Sequence, residues 1–420
     1  MKINQLFIFV FFALLNYGHS LGQNIVLSGD TIEIELEGTY RGDIQWQFSK
    51  DSINWTNIKD QTSPTLKDVI HEEGYFRAQV SSCVSNYFSK ACYIEVININ
   101  NEDYKKNLEP IFKLNDLKWC NIPVPKGYRQ SQTHPSIIYN REGWNGYNVW
   151  LATTPYPSTD AFYENPCIYY SNYENNILNT NFHSISTNPI DKIDIRGSGY
   201  NADPDIFLDG TALYCIEKKQ LTSDRKYHYM IQSSLNGQEW TTPKELFNSN
   251  LTGCEMVSPA IIKYKNKYRI YGAYSDALKE NGIFHNLIIL ESNSLQNPNF
   301  KLINKPEFKL KGSIELWHLD LFEYNNILYM VLCGKNTNFS TTFLSTYLAY
   351  SVDYTNFHIF PRPLFSDIYS YRPSAFVDNQ GKLNLLISTM DAKHKVFSID
   401  GNEIGYTSSS FSKLIQSLNK

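Results

Sequence analysis

One pattern recurs five times between residues 126 and 412 and limits what this chain can fold into. A polar cluster, usually ending in Pro, runs into a short apolar strand. The copies are Thr133-His-Pro-Ser-Ile-Ile-Tyr139, Asn201-Ala-Asp-Pro-Asp-Ile-Phe-Leu-Asp-Gly210, Val257-Ser-Pro-Ala-Ile-Ile-Lys263, Leu316-Trp-His-Leu-Asp-Leu-Phe322 and Tyr371-Arg-Pro-Ser-Ala-Phe-Val377. Most lead into a Gly or Asn turn and a second, aromatic-rich strand. The Pro, or its equivalent, falls at Pro135, Pro204, Pro259, His318 and Pro373, so the repeats are 69, 55, 59 and 55 residues apart. That is a four-stranded blade with some excess in its loops. Five such units predict an all-β, five-bladed β-propeller over 126–412, with the polar clusters facing a shared centre.

At 420 residues the chain suits two or three domains, and with 42% hydrophobic and 19% charged residues it can bury an ordinary core. The 30 Tyr, 24 Phe and 7 Trp suit strands, and most would fill sheet cores. Net charge is -4 and no basic run is present, so a nucleic-acid partner lacks its electrostatic footprint. Residues 1–22 read as a secretory signal. Lys2 is its positive start, Leu6 to Leu15 its apolar stretch, and Gly18, Ser20 and Gly22 its small residues near the cleavage point. The stretch is too short to span a bilayer, and no later segment is apolar enough to do so. The mature chain is expected to be secreted, periplasmic or at the cell surface. Cys83 and Cys92 lie close together in one predicted hairpin, where an oxidising compartment would let them pair. Cys120, Cys167, Cys215, Cys254 and Cys333 lack CxxC spacing; a zinc site of that kind is not expected, and most read as buried thiols.

Residues 23–99 form a first unit. Thr31–Leu36, Ile44–Phe48, Tyr75–Val80 and Cys92–Ile97 alternate apolar and polar residues between turns, which suits a small antiparallel sandwich. Trp46-Gln-Phe-Ser-Lys-Asp-Ser-Ile-Asn-Trp55 and Glu73-Gly-Tyr-Phe-Arg-Ala78 resemble the immunoglobulin-like modules of secreted bacterial proteins. The resemblance implies that Trp46 is the core Trp of the third strand and that Gly74–Arg77 packs opposite. The disulfide usual between the sheets has no partner in Thr31–Leu36, which holds no Cys. Such modules space or dock a partner domain, so docking at the cell surface is implied and catalysis is not. Residues 100–125 read as a linker, polar at first, whose Phe112–Ile122 part can add an outer strand to the last blade and close the ring.

Innermost strands line a propeller's channel, so the residues that open them are the candidates for chemistry: His134, Asp203 with Asp205, Glu255 with Ser258, His318 with Asp320, and Arg372. Paired carboxylates are what glycosidic cleavage needs, one to protonate the leaving oxygen and one to activate water or attack the sugar. Each residue also has a plain structural role open to it. Asp203 can cap a turn before Pro204, and Asp205 leans towards structure. Glu255 can be a solvated loop acid. His318 and Asp320 can satisfy each other, and Arg372 can neutralise an acid. A second cluster is the loop Thr154–Pro166, in which Tyr156, Asp160 and Glu164 combine aromatic and acidic groups. It reads equally as a sugar platform and as an ordinary ordered loop.

The five units, the Asp-Pro-Asp-Ile-Phe-Leu-Asp-Gly stretch and the acidic approach to the third blade resemble the five-bladed glycoside hydrolases of families 43 and 32. That resemblance implies that Asp203 is the supporting carboxylate and Glu255 the general acid. The family's catalytic Asp of blade one is replaced here by His134, so Asp160 or Glu164 would have to supply the missing base. His134, Tyr156, Asp160, Glu164, Trp317, His318, Asp320 and Arg372 are then expected to contact a carbohydrate. The leading expectation is a secreted glycosidase-like protein. The alternatives are a glycan-binding or adhesion protein with a degenerate pocket, and an interaction module that docks through its first unit. No cofactor is required, although a channel His and Asp could hold a calcium ion or a water.

Overall fold

The computed structural model describes residues 24–28, 30–36, 40–82, 85–97, 106, 108–128, 131–157, 160–224, 226–274, 286–304, 314–336, 344–366, 369–390 and 403–418. The signal segment, Cys83 with its pairing to Cys92, and most of the polar half of the linker lie outside these residues. The chain divides into two compact units, Met1–Ile97 and Asn98–Lys420. Among the described residues no helix is long and apolar enough to cross a membrane.

In the first unit, strand Gly74–Ser81 alternates buried and half-buried at every residue, the period of a sheet with one face in the core. It lies antiparallel between Asp43–Ser49 and Cys92–Ile97. Asn24–Leu27 joins Cys92–Ile97 in parallel. Asp30–Glu35 and Thr65–Ile70 form a separate pair. Trp46 is buried, and its indole N–H donates to the Ser63 carbonyl (2.9 Å), the polar partner that a buried Trp needs.

Among the described residues the second unit holds five four-stranded antiparallel sheets. Their first strands are Gln132–Trp144, Gly199–Asp209, Met256–Tyr264, Ile314–Tyr324 and Tyr369–Val377. Each touches the next, and the fifth touches the first, so the five close a ring. Lys118–Trp119 is the outermost strand of the fifth sheet, paired with Glu403–Ser410. The last sheet therefore joins chain from both ends of the unit. Apolar side chains fill the wedges between neighbouring sheets, as where Trp150, Ala152 and Ile168 meet Ile206, Leu213 and Cys215. The short helix Phe411–Leu418 buries Phe411, Leu414, Ile415 and Leu418, one face at helical spacing.

A polar turn recurs in both units. In Ser351–Phe357 the Asp353 carboxylate accepts from the backbone N–H groups of Thr355 and Asn356 (2.8 and 2.7 Å). Asn236 does the same for Gln238 and Glu239 (both 2.9 Å), and Asp51 for Ile53 and Asn54 (both 2.8 Å). A short side chain that satisfies its own turn needs no distant partner, so these are structural hairpin tips. In the Asn236 turn, Gly237 is left-handed (φ 75°), and an added Cβ would overlap the ring of the fully buried Trp150. Gly210 is also left-handed (φ 61°) but faces open space. Gly237→Ala should therefore cost about 3 kcal/mol or more, and Gly210→Ala only the backbone strain of about 1 kcal/mol. Urea unfolding of the two variants checks this; equal losses would show that Trp150 does not hold the turn.

Candidate functional site

The pairing register shifts in all five inner strands, and three of them carry the same further irregularity. In these three it shifts at Thr133/Ser136, Ala202/Asp205 and Val257/Ala260. The residue at each shift precedes a proline and is left-handed: His134 (φ 50°), Asp203 (φ 54°) and Ser258 (φ 51°). Proline has no N–H to give the ladder, so the strand bulges there, and a bulge re-aims a side chain. Left-handed non-glycine residues cost about 1–2 kcal/mol each. Their surroundings must hold them, and such strain gathers at functional sites.

The bulges deliver a buried constellation to one end of the ring. His134 Nε2 lies 3.4 Å from Asp203 Oδ1, and His318 Nδ1 lies 3.5 Å from the same oxygen. His134 Nδ1 pairs with Thr154 Oγ1 (2.8 Å) and stands 3.4 Å from Glu164 Oε1. His318 Nδ1 pairs with Ser258 Oγ (2.7 Å). His134, Asp203 and His318 each bring one donor atom within 4.8 Å of the others, a set of two imidazoles and one carboxylate. Lys218 Nζ bridges Asp203 Oδ2 (3.2 Å) and Glu255 Oε1 (2.8 Å).

Burial and charge set the protonation. Burial holds the His134 imidazole down to about 4 and His318 well below its usual range, so both are neutral at pH 7. Burial alone would raise Asp203, but the Lys218 ammonium and the nearby cationic groups hold it below the ordinary carboxylate range. Burial, reinforced by the charge of Asp203, pushes Glu164 up to about 8. Opposite shifts in neighbouring carboxyl groups are characteristic of acid–base sites.

The sequence candidates separate into layers. His134, Asp203, His318 and Glu164 meet directly, and Glu255 joins them through Lys218. Tyr156 is half-buried beside Glu164, whose charge, after burial, helps raise its hydroxyl to about 12. Asp205, Asp320 and Arg372 form a second buried layer. Arg372 Nη2 is 3.6 Å from Asp205 Oδ1, and Asp205 also accepts from Ser136 Oγ (2.9 Å) and the Ile261 N–H (2.8 Å). Burial, reinforced by the charge of the neighbouring Asp205, raises Asp320 well above the usual carboxylate range. Asp160 caps a short turn by accepting from the Phe162 N–H (3.1 Å) and pairs with Arg196. Trp317 packs on the apolar wedge between the third and fourth sheets. The Trp317 ring also stands edge-on to that of His318, 6.0 Å between centres.

Two contributors were not singled out from sequence. Lys218 sits in Ala212–Leu221, and its signal was a charged Glu-Lys-Lys run inside an otherwise apolar strand. Tyr371 lies against both imidazoles, 5.2 Å from His134 and 4.4 Å from His318 between ring centres. It adjoins Arg372 in a motif already marked by its Pro. Removing Lys218 strands a buried carboxylate, so Lys218→Met should destabilise the second unit by about 3–5 kcal/mol. Adding Asp203→Asn should recover part of that loss. A double-mutant cycle in urea checks it, and strictly additive losses would mean that the two charges do not depend on each other.

A family described as a domain of unknown function (DUF8696) matches residues 18–98, the first unit. No curated protein matches the chain. Among solved structures, an N-acetylgalactosamine deacetylase from F. plautii in complex with blood group B trisaccharide is similar at 16% identity and TM-score 0.57, over 71% of this chain and 96% of that one. A xylan β-1,4-xylosidase from Bacillus halodurans C-125 is similar at 16% identity and TM-score 0.48, over 68% and 54%. A family 32 β-fructofuranosidase from Bombyx mori is similar at 12% identity and TM-score 0.48, over 73% and 64%. The chain thus spans less than two thirds of the last two. The likeness to the deacetylase shows a shared fold.

Proposed function

We propose that the protein is an exported carbohydrate-active hydrolase. Its second unit is a five-bladed propeller that works at one mouth of its central channel, and its immunoglobulin-like first unit docks or spaces it. One observation carries this reading. Strained bulges in separate inner strands converge His134 and Asp203, with His318 and Glu164, on one buried point. Half-buried tyrosines stand around that point. Tyr200 and Tyr227 lie 5.7 and 6.0 Å from the Lys218 ammonium, and Tyr371 lies on the imidazoles. Aromatic faces beside a polar floor suit the apolar face and hydroxyls of a sugar. The deacetylase among the similar folds acts on a sugar substituent and the glycosidases on linkages, and both are hydrolyses.

The linkage-cleaving form of the reading has its own support. Asp203 and Glu255 share one ammonium at 3.2 and 2.8 Å, which holds them within about 6 Å, near the separation of a retaining glycosidase pair. A glycan array and a screen for released sugar or acyl groups test the proposal. The parent should turn over at least one glycan, and Asp203→Asn should lower kcat/KM by about 100-fold or more while binding persists. Binding without turnover by the parent would replace the enzyme with a glycan-binding or adhesion protein. No binding and no turnover would remove the carbohydrate reading altogether.

A further inference from the structure

We propose that His134, Asp203 and His318 bind one divalent transition-metal ion, and that the site hydrolyses an acyl substituent, an N- or O-linked acetyl group, of the glycan. This inference rests on the carbohydrate reading for its substrate but not for its metal.

The donor atoms argue for the ion. Each histidine has its Nδ1 held by a hydroxyl, Thr154 at 2.8 Å and Ser258 at 2.7 Å. With the hydroxyl as acceptor, Nδ1 carries the hydrogen and Nε2 the lone pair, the arrangement in which outer partners orient metal-binding imidazoles. His134 Nε2, His318 Nε2 and Asp203 Oδ1 are all buried without a hydrogen-bond partner. Two orphaned atoms that face each other, with a third on the imidazole whose other nitrogen lies 3.5 Å from the same Asp203 oxygen, need a common explanation. His134 Nε2 and Asp203 Oδ1 stand 3.4 Å apart, too far for a good hydrogen bond. Yet that is the edge of a tetrahedron whose centre lies about 2.1 Å from each donor, the usual reach of zinc to nitrogen and oxygen. Asp203 turns its other oxygen to Lys218, which leaves Oδ1 free for the ion.

The donor types select the metal. Two imidazoles and one carboxylate suit zinc, cobalt, nickel or manganese. Calcium prefers six or more oxygens, so the calcium considered from the sequence does not fit this set. Three protein donors leave a position open for water, as in catalytic rather than structural sites.

The chemistry follows from this geometry. Glu164 stands 3.4 Å from His134 Nδ1, and we assign to it the proton of a water held at the open position. The charge of the bound ion favours the ionised form of Glu164, which takes a proton from that water, and the water oxygen bonds to the acyl carbon. The bond from that carbon to the sugar nitrogen or oxygen then breaks, and the sugar atom takes the proton back from Glu164. Acetate and a free amine or hydroxyl leave, and nothing is oxidised or reduced. Substitution of blade one's family Asp by His134 removes a glycosidase base and adds a nitrogen ligand at the same place.

The test titrates chelator-treated full-length protein with ZnCl2, and separately with CoCl2, in a calorimeter and a visible spectrometer. One equivalent should bind, with the d–d absorption of a low-coordinate Co2+ site. His134→Ala and His318→Ala should each weaken binding by at least about 100-fold. Thr154→Val should weaken it by about 10- to 100-fold, and Thr154→Ser should restore it. Circular dichroism and metal-free thermal unfolding identify any variant that has merely lost its fold, and Thr154→Ser keeps the test decisive if the alanine variants do. Acetate release from acetylated glycans should stop with chelator and return with Zn2+. Absence of stoichiometric binding, or wild-type affinity in folded His134→Ala, overturns the metal site and leaves a water as the occupant. Acetate release unaffected by chelator overturns the acyl chemistry. Tight zinc binding together with failure to process any glycan sinks the carbohydrate reading instead.

Discussion

The structure depends on charge neutralised along the axis of a closed ring. Five strands that converge on one line bring their polar openings out of water together, and each ionised group there must find a partner. Lys218 answers Asp203 and Glu255, and Arg372 answers the Asp205–Asp320 pair from a fully buried position. Buried ion pairs seldom stabilise a fold more than apolar packing of the same volume. A chain selected for stability alone would place leucines here. Two stacked ionic layers at the axis therefore point to a site, with the lower layer supporting the upper.

The same economy explains the strained backbone. A regular strand would alternate its side chains, and His134 and Ser136 would share one face. The bulge before Pro135 breaks that alternation. His134 can then serve the upper layer, while Ser136 donates to Asp205 in the lower one. Asp203 and Asp205 part in the same way around Pro204. Proline suits this position because the bulge already forgoes the ladder bond that its missing N–H would have made. The strain is held in place by the hydroxyl and ammonium contacts around it.

Much of this was legible in the sequence. The all-β class and the repeating four-stranded unit follow from period-two strands and regularly spaced prolines, because both are local signals. His134, Asp203 and His318 were singled out because they occupy equivalent places in repeats. Their mutual geometry was not legible. Whether Asp203 faces the channel with Asp205 or apart from it depends on a bulge, and the sequence shows only the Pro that permits one. Lys218 escaped because it stands on a second strand, away from the repeat's opening, and reaches the axis only through its long side chain. Asp160 and Trp317 were drawn in by residue type. In the fold Asp160 meets an exposed arginine, and Trp317 meets an apolar wedge and the ring of His318.

A scaffold of this kind does not dictate one reaction. What it fixes is a set of openings that face a common mouth, each able to change its residue without moving the others. Placing a carboxylate in the first opening gives that mouth an acid–base pair for breaking linkages. Placing His134 there leaves Asp203 with an imidazole on either side instead. Asp203 keeps its charge because Lys218 sits on its outer oxygen, and the imidazoles stay neutral because they are buried. A neutral, neutral, anionic donor set with its lone pairs unclaimed is poorly suited to shuttling a proton between sugar and water. It is well suited to holding a cation, and that difference follows from a single side chain in the first blade.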